Sequence, residues 1–237
     1  MARGGAQNSR LRRSDSLSLA AVENIIAAAS FAWAIGLPLN RFTTIHWQHA
    51  GVDDPLAATG RFLKLAGDWL RSRGGGFAYV WVREGGVTKG EHVHILLHVP
   101  ASLARSFGHR QRGWLKACGG TWLRGIVRSR PVGRSIHHAD RHTMFGEPYE
   151  QHLAAGIGYL VKGADHYVSE TRGLKRRAFG GILTGKRCGT SANTGAAARA
   201  GHKRRGVSGN IGSAARTPGA VNSRPSQNRK PVRVARD

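Results

Sequence analysis

The chain has 237 residues, 40% of them hydrophobic, and a formal net charge of +24 with a sequence pI near 11.7. That length supports one good core, and such an excess of cations points to a polyanionic partner, nucleic acid first, rather than to a neutral metabolite. Two cysteines, Cys118 and Cys188, lie outside any C-x-x-C spacing, which argues against a disulfide framework or zinc ribbon and suits a reducing, cytoplasmic setting.

The excess is not confined to one end: residues 1–185 hold 25 Lys and Arg against 12 Asp and Glu, and residues 186–237 hold 12 against 1. Residues 1–15 are basic and expected to be disordered, with one folded domain over 16–191. The apolar run from Leu17 to Leu39 is broken by Glu23 and Asn24, which is costly in lipid, so it reads as a soluble helix and no membrane partner is expected. Asp15 or Ser16 is its expected cap and Gly36 its end, with Leu17, Ala20, Ala21, Ile25, Ala29 and Trp33 at rough helical spacing.

Arg41 to Trp47 is β-branched and aromatic and predicts a strand, with His46 either facing a site or satisfied by a neighbour. Asp54 and Pro55 open a helix that runs to the glycines at 74–76. Phe77 to Glu84 and His92 to Val99 predict two strands joined by a Gly-rich hairpin loop. Residues 101–118 suit a helix interrupted at Gly108 and Gly113. Its outer face carries Arg105, Arg110, Arg112 and Lys116, suited to phosphates or simply to solvent. A further strand is expected within Thr121–Val132, and His137, His138 and His142 follow without an assignable role. Tyr149 to Gly163 predicts a helix with a buried stripe of Leu153, Ile157, Leu160 and Ala164.

Gly180 to Arg187 reads G-G-I-L-T-G-K-R. It matches part of a nucleotide-binding loop but has Arg187 where Ser or Thr must meet magnesium, so it reads as a basic turn in which Lys186 and Arg187 contact DNA. Phe179 to Ser191 is the last expected ordered segment. Residues 192–237 hold no Phe, Trp or Tyr and are expected to form a disordered basic tail that holds nucleic acid without sequence preference.

Two stretches carry chemistry. In E-H-V-H-I-L-L-H-V-P, side chains alternate across a strand, so His92 and His94 share a face, with His98 further along it. Glu84 lies across the hairpin turn. Two imidazoles and a carboxylate make a three-ligand metal site with open positions. In G-Y-L-V-K-G, Tyr159 and Lys162 lie off the buried stripe, beside the small residues Ala155 and Gly156.

A His-hydrophobe-His strand followed about 65 residues later by Tyr-x-x-Lys resembles the HUH endonucleases, and within them the rolling-circle replication initiators (Rep proteins) with a single tyrosine. The likeness spans roughly residues 40–165. It implies an α+β fold with a central antiparallel sheet and flanking helices, of ferredoxin-like or RNA-recognition type. It implies that Tyr159 attacks single-stranded DNA to leave a 5′-phosphotyrosine, assisted by Lys162. It also implies one divalent ion on His92 and His94, with Glu84 as third ligand. Donor chemistry alone leaves zinc or nickel open, whereas the resemblance implies Mg2+ or Mn2+. The partners it implies are single-stranded or hairpin origin DNA of a plasmid or phage-like element, with the host helicase and polymerase. Conjugative relaxases carry the tyrosine before the histidines, unlike this chain. Two alternatives stand beside this reading: a transposase of the same class, whose motif is more often Tyr-x-x-x-Gln, and a basic nucleic-acid-binding protein with a vestigial site.

Overall fold

The computed structural model describes residues 11–86, 88–133, 147–174 and 179–204. His137, His138 and His142 lie outside the described residues, as do most of the expected N-terminal arm and the tail beyond Arg204.

The elements in chain order are β1 (Arg13–Ser14), α1 (Leu19–Ala34), β2 (Arg41–Ile45), α2 (Pro55–Arg71), β3 (Tyr79–Glu84), β4 (His92–Leu97), α3 (Ala104–Ala117), β5 (Val127–Pro131), α4 (Glu147–Leu160), α5 (His166–Thr171), β6 (Leu183–Thr184), β7 (Cys188–Thr190) and α6 (Ala196–Arg204). Five strands form one antiparallel sheet in the order β5-β2-β4-β3-β7, and β1 pairs with β6 in a separate two-stranded ladder. The chain is therefore α+β with helices flanking an antiparallel sheet.

The histidine strand β4 is central, with β2 and β3 on either side, and all six of its residues are buried. A strand covered on both faces needs apolar side chains both ways, and His-Val-His-Ile-Leu-Leu departs from that rule only at its histidines. On one face Val93, Ile95 and Leu97 pack with Phe62 and Leu70 of α2 and Phe107 and Leu115 of α3. On the other, Leu96 joins Phe42, Val80 and Val82 under Ile25 and Ala29 of α1 and Leu160 of α4. The histidines belong to this second face, where apolar cover gives out.

Several boundaries differ from those expected. Helix α1 begins at Leu19, capped by the Ser18 hydroxyl, which accepts from Ala21 N–H, rather than by Asp15 or Ser16. The reason is tertiary: Leu17 is extended and bridges to Ala164, donating to the Gly163 carbonyl and accepting from Asp165 N–H. Helix α3 runs unbroken through Gly108 and Gly113, at neither of which would a side chain meet any neighbour. Strand β5 fills only the last part of Thr121–Val132, and α4 stops at Leu160, ahead of Lys162 and Gly163.

The expected limits of order are also shifted at both ends. Arg13 and Ser14 pair with Thr184 and Leu183. Helix α6 lies inside the stretch expected to be tail, held to α1 by Arg199 donating to Asn24 Oδ1 and by the His202 ring edge-on to Phe31. No described helix is long and apolar enough to cross a membrane.

Candidate active site

Pairing of β3 with β4 sets Glu84 directly opposite His92 and Val82 opposite His94, so carboxylate and imidazoles share a face by register. The loop closing that hairpin depends on Gly90, whose φ is +59° and whose missing side chain would meet Gln48 at 2.8 Å. Gln48 Oε1 accepts from the next amide, Glu91 N–H, which fixes the start of β4.

The result is a buried cluster. Glu84 Oε2 lies 3.4 Å from His92 Nε2 and 3.5 Å from His94 Nε2, and the ligand atoms of the three residues all lie within 4.8 Å of one another. Lys162 Nζ donates to the same Glu84 Oε2 at 2.9 Å. Helix α4 ends before this lysine, so Lys162 reaches the cluster from the turn pinned by Leu17, not from the helix expected over Tyr149–Gly163, and is itself buried. Above the cluster the Tyr159 ring stands edge-on to His94, with centroids 4.9 Å apart, and Lys162 Nζ lies 3.6 Å from its centroid. Gly156 faces the sheet, where a Cβ would lie in ordinary contact with Leu96 at 3.5 Å.

The donor set fits a metal ion on two observations. First, the Gly90 carbonyl can only accept, so His92 Nδ1 at 2.9 Å carries the proton on that side and Nε2 is the ring atom turned toward Glu84. In that orientation Nε2 and the carboxylate can be offered to one ion. Second, Glu84 Oε1 and His94 Nε2 are buried without a hydrogen-bond partner, each at a desolvation cost of about 1–3 kcal/mol. His94 Nδ1 is meanwhile held by Thr44 Oγ1 at 2.8 Å, which orients the ring as an outer partner of a metal ligand does.

Electrostatics run the same way. Burial pushes the Glu84 carboxyl up, but His92, His94 and Lys162 together hold it far below the usual carboxylate range. Burial lowers His94 to about 4 against the opposing pull of Glu84, which leaves it neutral and able to ligate. His46 is lowered by burial and then by His92, on which it stacks at 5.3 Å. It lines the same cleft as the pair, so the reading in which it faces the site holds. His98 does not join them; its Nδ1 bonds the Pro38 carbonyl at 2.9 Å, beyond the far end of β4.

Of the four tyrosines, Tyr159 alone lines a cleft beside the cluster. Tyr149 is buried, donates its hydroxyl to the Leu39 carbonyl at 3.0 Å and is raised by burial. Tyr79 packs on the opposite face, and Tyr167 is exposed on α5.

The expected DNA contacts do not converge here. Arg105 and Arg112 are exposed on α3, which covers the other face of the sheet, and Lys186 lies over Trp81 on that same far side. Arg187 is a structural residue. Its guanidinium is buried and donates to the carbonyls of Ser14, Gly180 and Gly181 and to the Ser14 hydroxyl, tying β1 to the β6 loop. The glycines of G-G-I-L-T-G-K-R are explained by the same packing: Gly181 has φ +71°, and a side chain there would strike the Gly85 carbonyl at 1.7 Å.

The cations near the cluster are others. A cleft of about 340 Å³ over His92, His94 and Tyr159 is rimmed by Lys89, Arg124 and Arg128. Arg128 and Arg130 stand opposite Thr44 and Phe42 on β2, hence on the histidine face. Their alternation in Val-Arg-Ser-Arg was readable; the face they take depends on β5 pairing with β2, a partner distant in sequence. The chain matches no family model, no curated protein and no solved structure.

Proposed function

We propose that this protein is a metal-dependent enzyme that nicks and rejoins single-stranded DNA through Tyr159, as the rolling-circle initiators do whose motifs it resembles. One observation carries the reading: Tyr159 and Lys162, more than 60 residues downstream of the His pair, meet it in space, with Lys162 on the metal-facing carboxylate and Tyr159 against His94. The strand order supports it as well, since β2-α2-β3-β4-α3-β5 arranged as β5-β2-β4-β3 is the order of a ferredoxin-like sheet with the histidine strand at its centre.

Glu84, His92 and His94 would hold one divalent ion, Mg2+ or Mn2+ by the resemblance; when bound, such an ion polarises the scissile phosphate and stabilises charge on its oxygens. The chain's own groups do the rest. Lys89, Arg124 and Arg128 hold the flanking phosphates in the smaller cleft. The Tyr159 hydroxyl gives up its proton to solvent as its oxygen attacks phosphorus, a new O–P bond forms, and the bond from phosphorus to the 3′-oxygen breaks. That oxygen takes up a proton and leaves as a 3′-hydroxyl, with the 5′-phosphate on Tyr159; the reverse reaction rejoins the strand. Lys162 contributes positive charge beside the tyrosine and the incoming phosphate.

The role is initiation on a plasmid or phage-like element, with single-stranded or hairpin origin DNA as substrate and a host helicase and polymerase as partners. Gly163 stands where Tyr-x-x-x-Gln would need its glutamine, which favours the initiator over the transposase. The test is a denaturing gel of the protein incubated with labelled single-stranded circular DNA and manganese. A covalent adduct that Tyr159→Phe lacks is the expected result. An adduct that survives in Tyr159→Phe overturns the assignment of the nucleophile, and tight binding without an adduct on any origin sequence favours the vestigial-site reading.

A further inference from the structure

Tyr159 separates two clefts of different chemistry. The smaller holds Lys89, Arg124 and Arg128 with the imidazoles. The larger, about 590 Å³, lies on the other side of the ring between the β5 edge and α4. Its walls are Phe42, Pro131, Val132, Ala155, Gly158 and Leu174, with Arg130 as its one arginine. That volume falls within the roughly 300–1,000 Å³ of small-molecule sites. Apolar side chains and glycines line it beside Arg130 and His152, whereas cations and imidazoles crowd the smaller cleft.

Residues 42, 44 and 46 follow one another along the floor: Phe42 lies in the larger cleft, Thr44 and His46 in the smaller. Arg130 Cζ sits 5.4 Å from the Phe42 ring centroid, and among the described residues Arg130 pairs with no carboxylate. A guanidinium held over an aromatic ring offers a flat cationic surface on which a base can stack. On the side of α4 the wall is Ala155, Gly156 and Gly158, which leave the space open.

We propose that this larger cleft is a base-binding subsite that takes one unpaired nucleotide adjoining the phosphate attacked by Tyr159. This rests on the reading of Tyr159 as nucleophile. A DNA strand fixed at that phosphate must leave it in both directions. Phosphates are drawn along the cationic rim of one cleft, and the neighbouring base turns into the recess of the other, stacked beside Arg130 and Phe42. A paired base cannot turn this way without leaving its stack, so the subsite selects single strands.

Gly158 supplies the test, because it lines the cleft, is exposed, and a side chain there would meet no atom within 4 Å. Gly158→Leu fills the recess and replaces a helix glycine with a better helix former. The measurement is fluorescence anisotropy with manganese on two probes of equal phosphate number: a random-sequence single-stranded 12-mer and an abasic 12-mer. Equal charge cancels contributions from basic segments elsewhere.

The wild type is expected to prefer the base-bearing probe by about tenfold, the scale of one stacked base. Gly158→Leu and Arg130→Ala should each reduce that ratio to about twofold or less while keeping the manganese-induced gain in melting temperature. Equal affinity of the wild type for both probes, or a preference that Gly158→Leu leaves intact, overturns the subsite. The readout needs no bond cleavage. A wild type with the base preference but no tyrosine adduct would therefore remove the nicking reading and keep the subsite, whereas an adduct without the preference does the reverse.

Discussion

Replacing Glu84 by Gln keeps shape and volume while removing the one charge that faces Lys162. The pair is 2.9 Å apart and both side chains are 7% exposed, so the lysine left behind is a buried ammonium without a counter-ion. At an effective dielectric of about 20, two unit charges at that separation attract by about 6 kcal/mol. The amide oxygen of glutamine still accepts from Nζ and recovers part of this, so a net loss of about 3–5 kcal/mol is expected, the usual cost of removing one partner of a buried pair. In urea unfolding followed by tryptophan fluorescence with EDTA present, the midpoint of Glu84→Gln should fall accordingly. Lys162→Met should also destabilise, since it leaves the buried Glu84 carboxylate without its ammonium partner. The double variant removes both charges and should recover most of the loss, giving a coupling of at least about 2 kcal/mol. A coupling below about 1 kcal/mol, the range of solvent-exposed pairs, would refute the buried network.

Removing a ligand should abolish metal stabilisation: His94→Ala is expected to lose the rise in melting temperature that manganese gives the wild type, and an undiminished rise would remove His94 from the ligand set. In the metal-free protein, stability should fall as pH drops from about 6.5 to 4. His94 is held near 4 when folded, so in that window the unfolded chain binds the extra proton, for a loss of up to about 3 kcal/mol. Glu84, lowered on folding, and His46 and His98, lowered by burial, act in the same direction, and a denaturation midpoint flat between pH 7 and 5 would contradict this. Arg187→Ala should cost about 3 kcal/mol by leaving buried carbonyls unpaired, with no change in the salt dependence of DNA binding; a shallower salt slope would return Arg187 to the DNA interface.

The pattern His92-Val-His94 on an apolar strand, the Gly-rich turn behind it and the charge of the chain were legible because each is local. Alternation puts both imidazoles on one side wherever the strand lies, and a hairpin returns Glu84 to them through its register. Single-residue periodicity likewise carried α2, α3 and the approximate place of α4. Contacts between distant segments had no such signal. Leu17 is apolar and helix-compatible, yet its pairing with Gly163 and Asp165 moves the start of α1 and ends α4 early, turning Lys162 inward.

The basic residues show the limit most clearly. Arginine at 105, 112, 128, 130 and 187 looks alike in a sequence, since charge does not say which face an element turns or what lies opposite. Helix α3 packs on the face away from the histidines, so Arg105 and Arg112 are remote from Tyr159. Non-sequential pairing of β5 with β2 brings Arg128 and Arg130 onto the histidine face, and closure of the β1–β6 ladder buries Arg187 among carbonyls. The sequence by itself determined the motif residues, their spacing and the excess of cations, because these are properties of residue type and of period two or 3.6. Only the tertiary structure decided which cations surround the tyrosine and that a second cleft adjoins it, because both depend on which strands become neighbours.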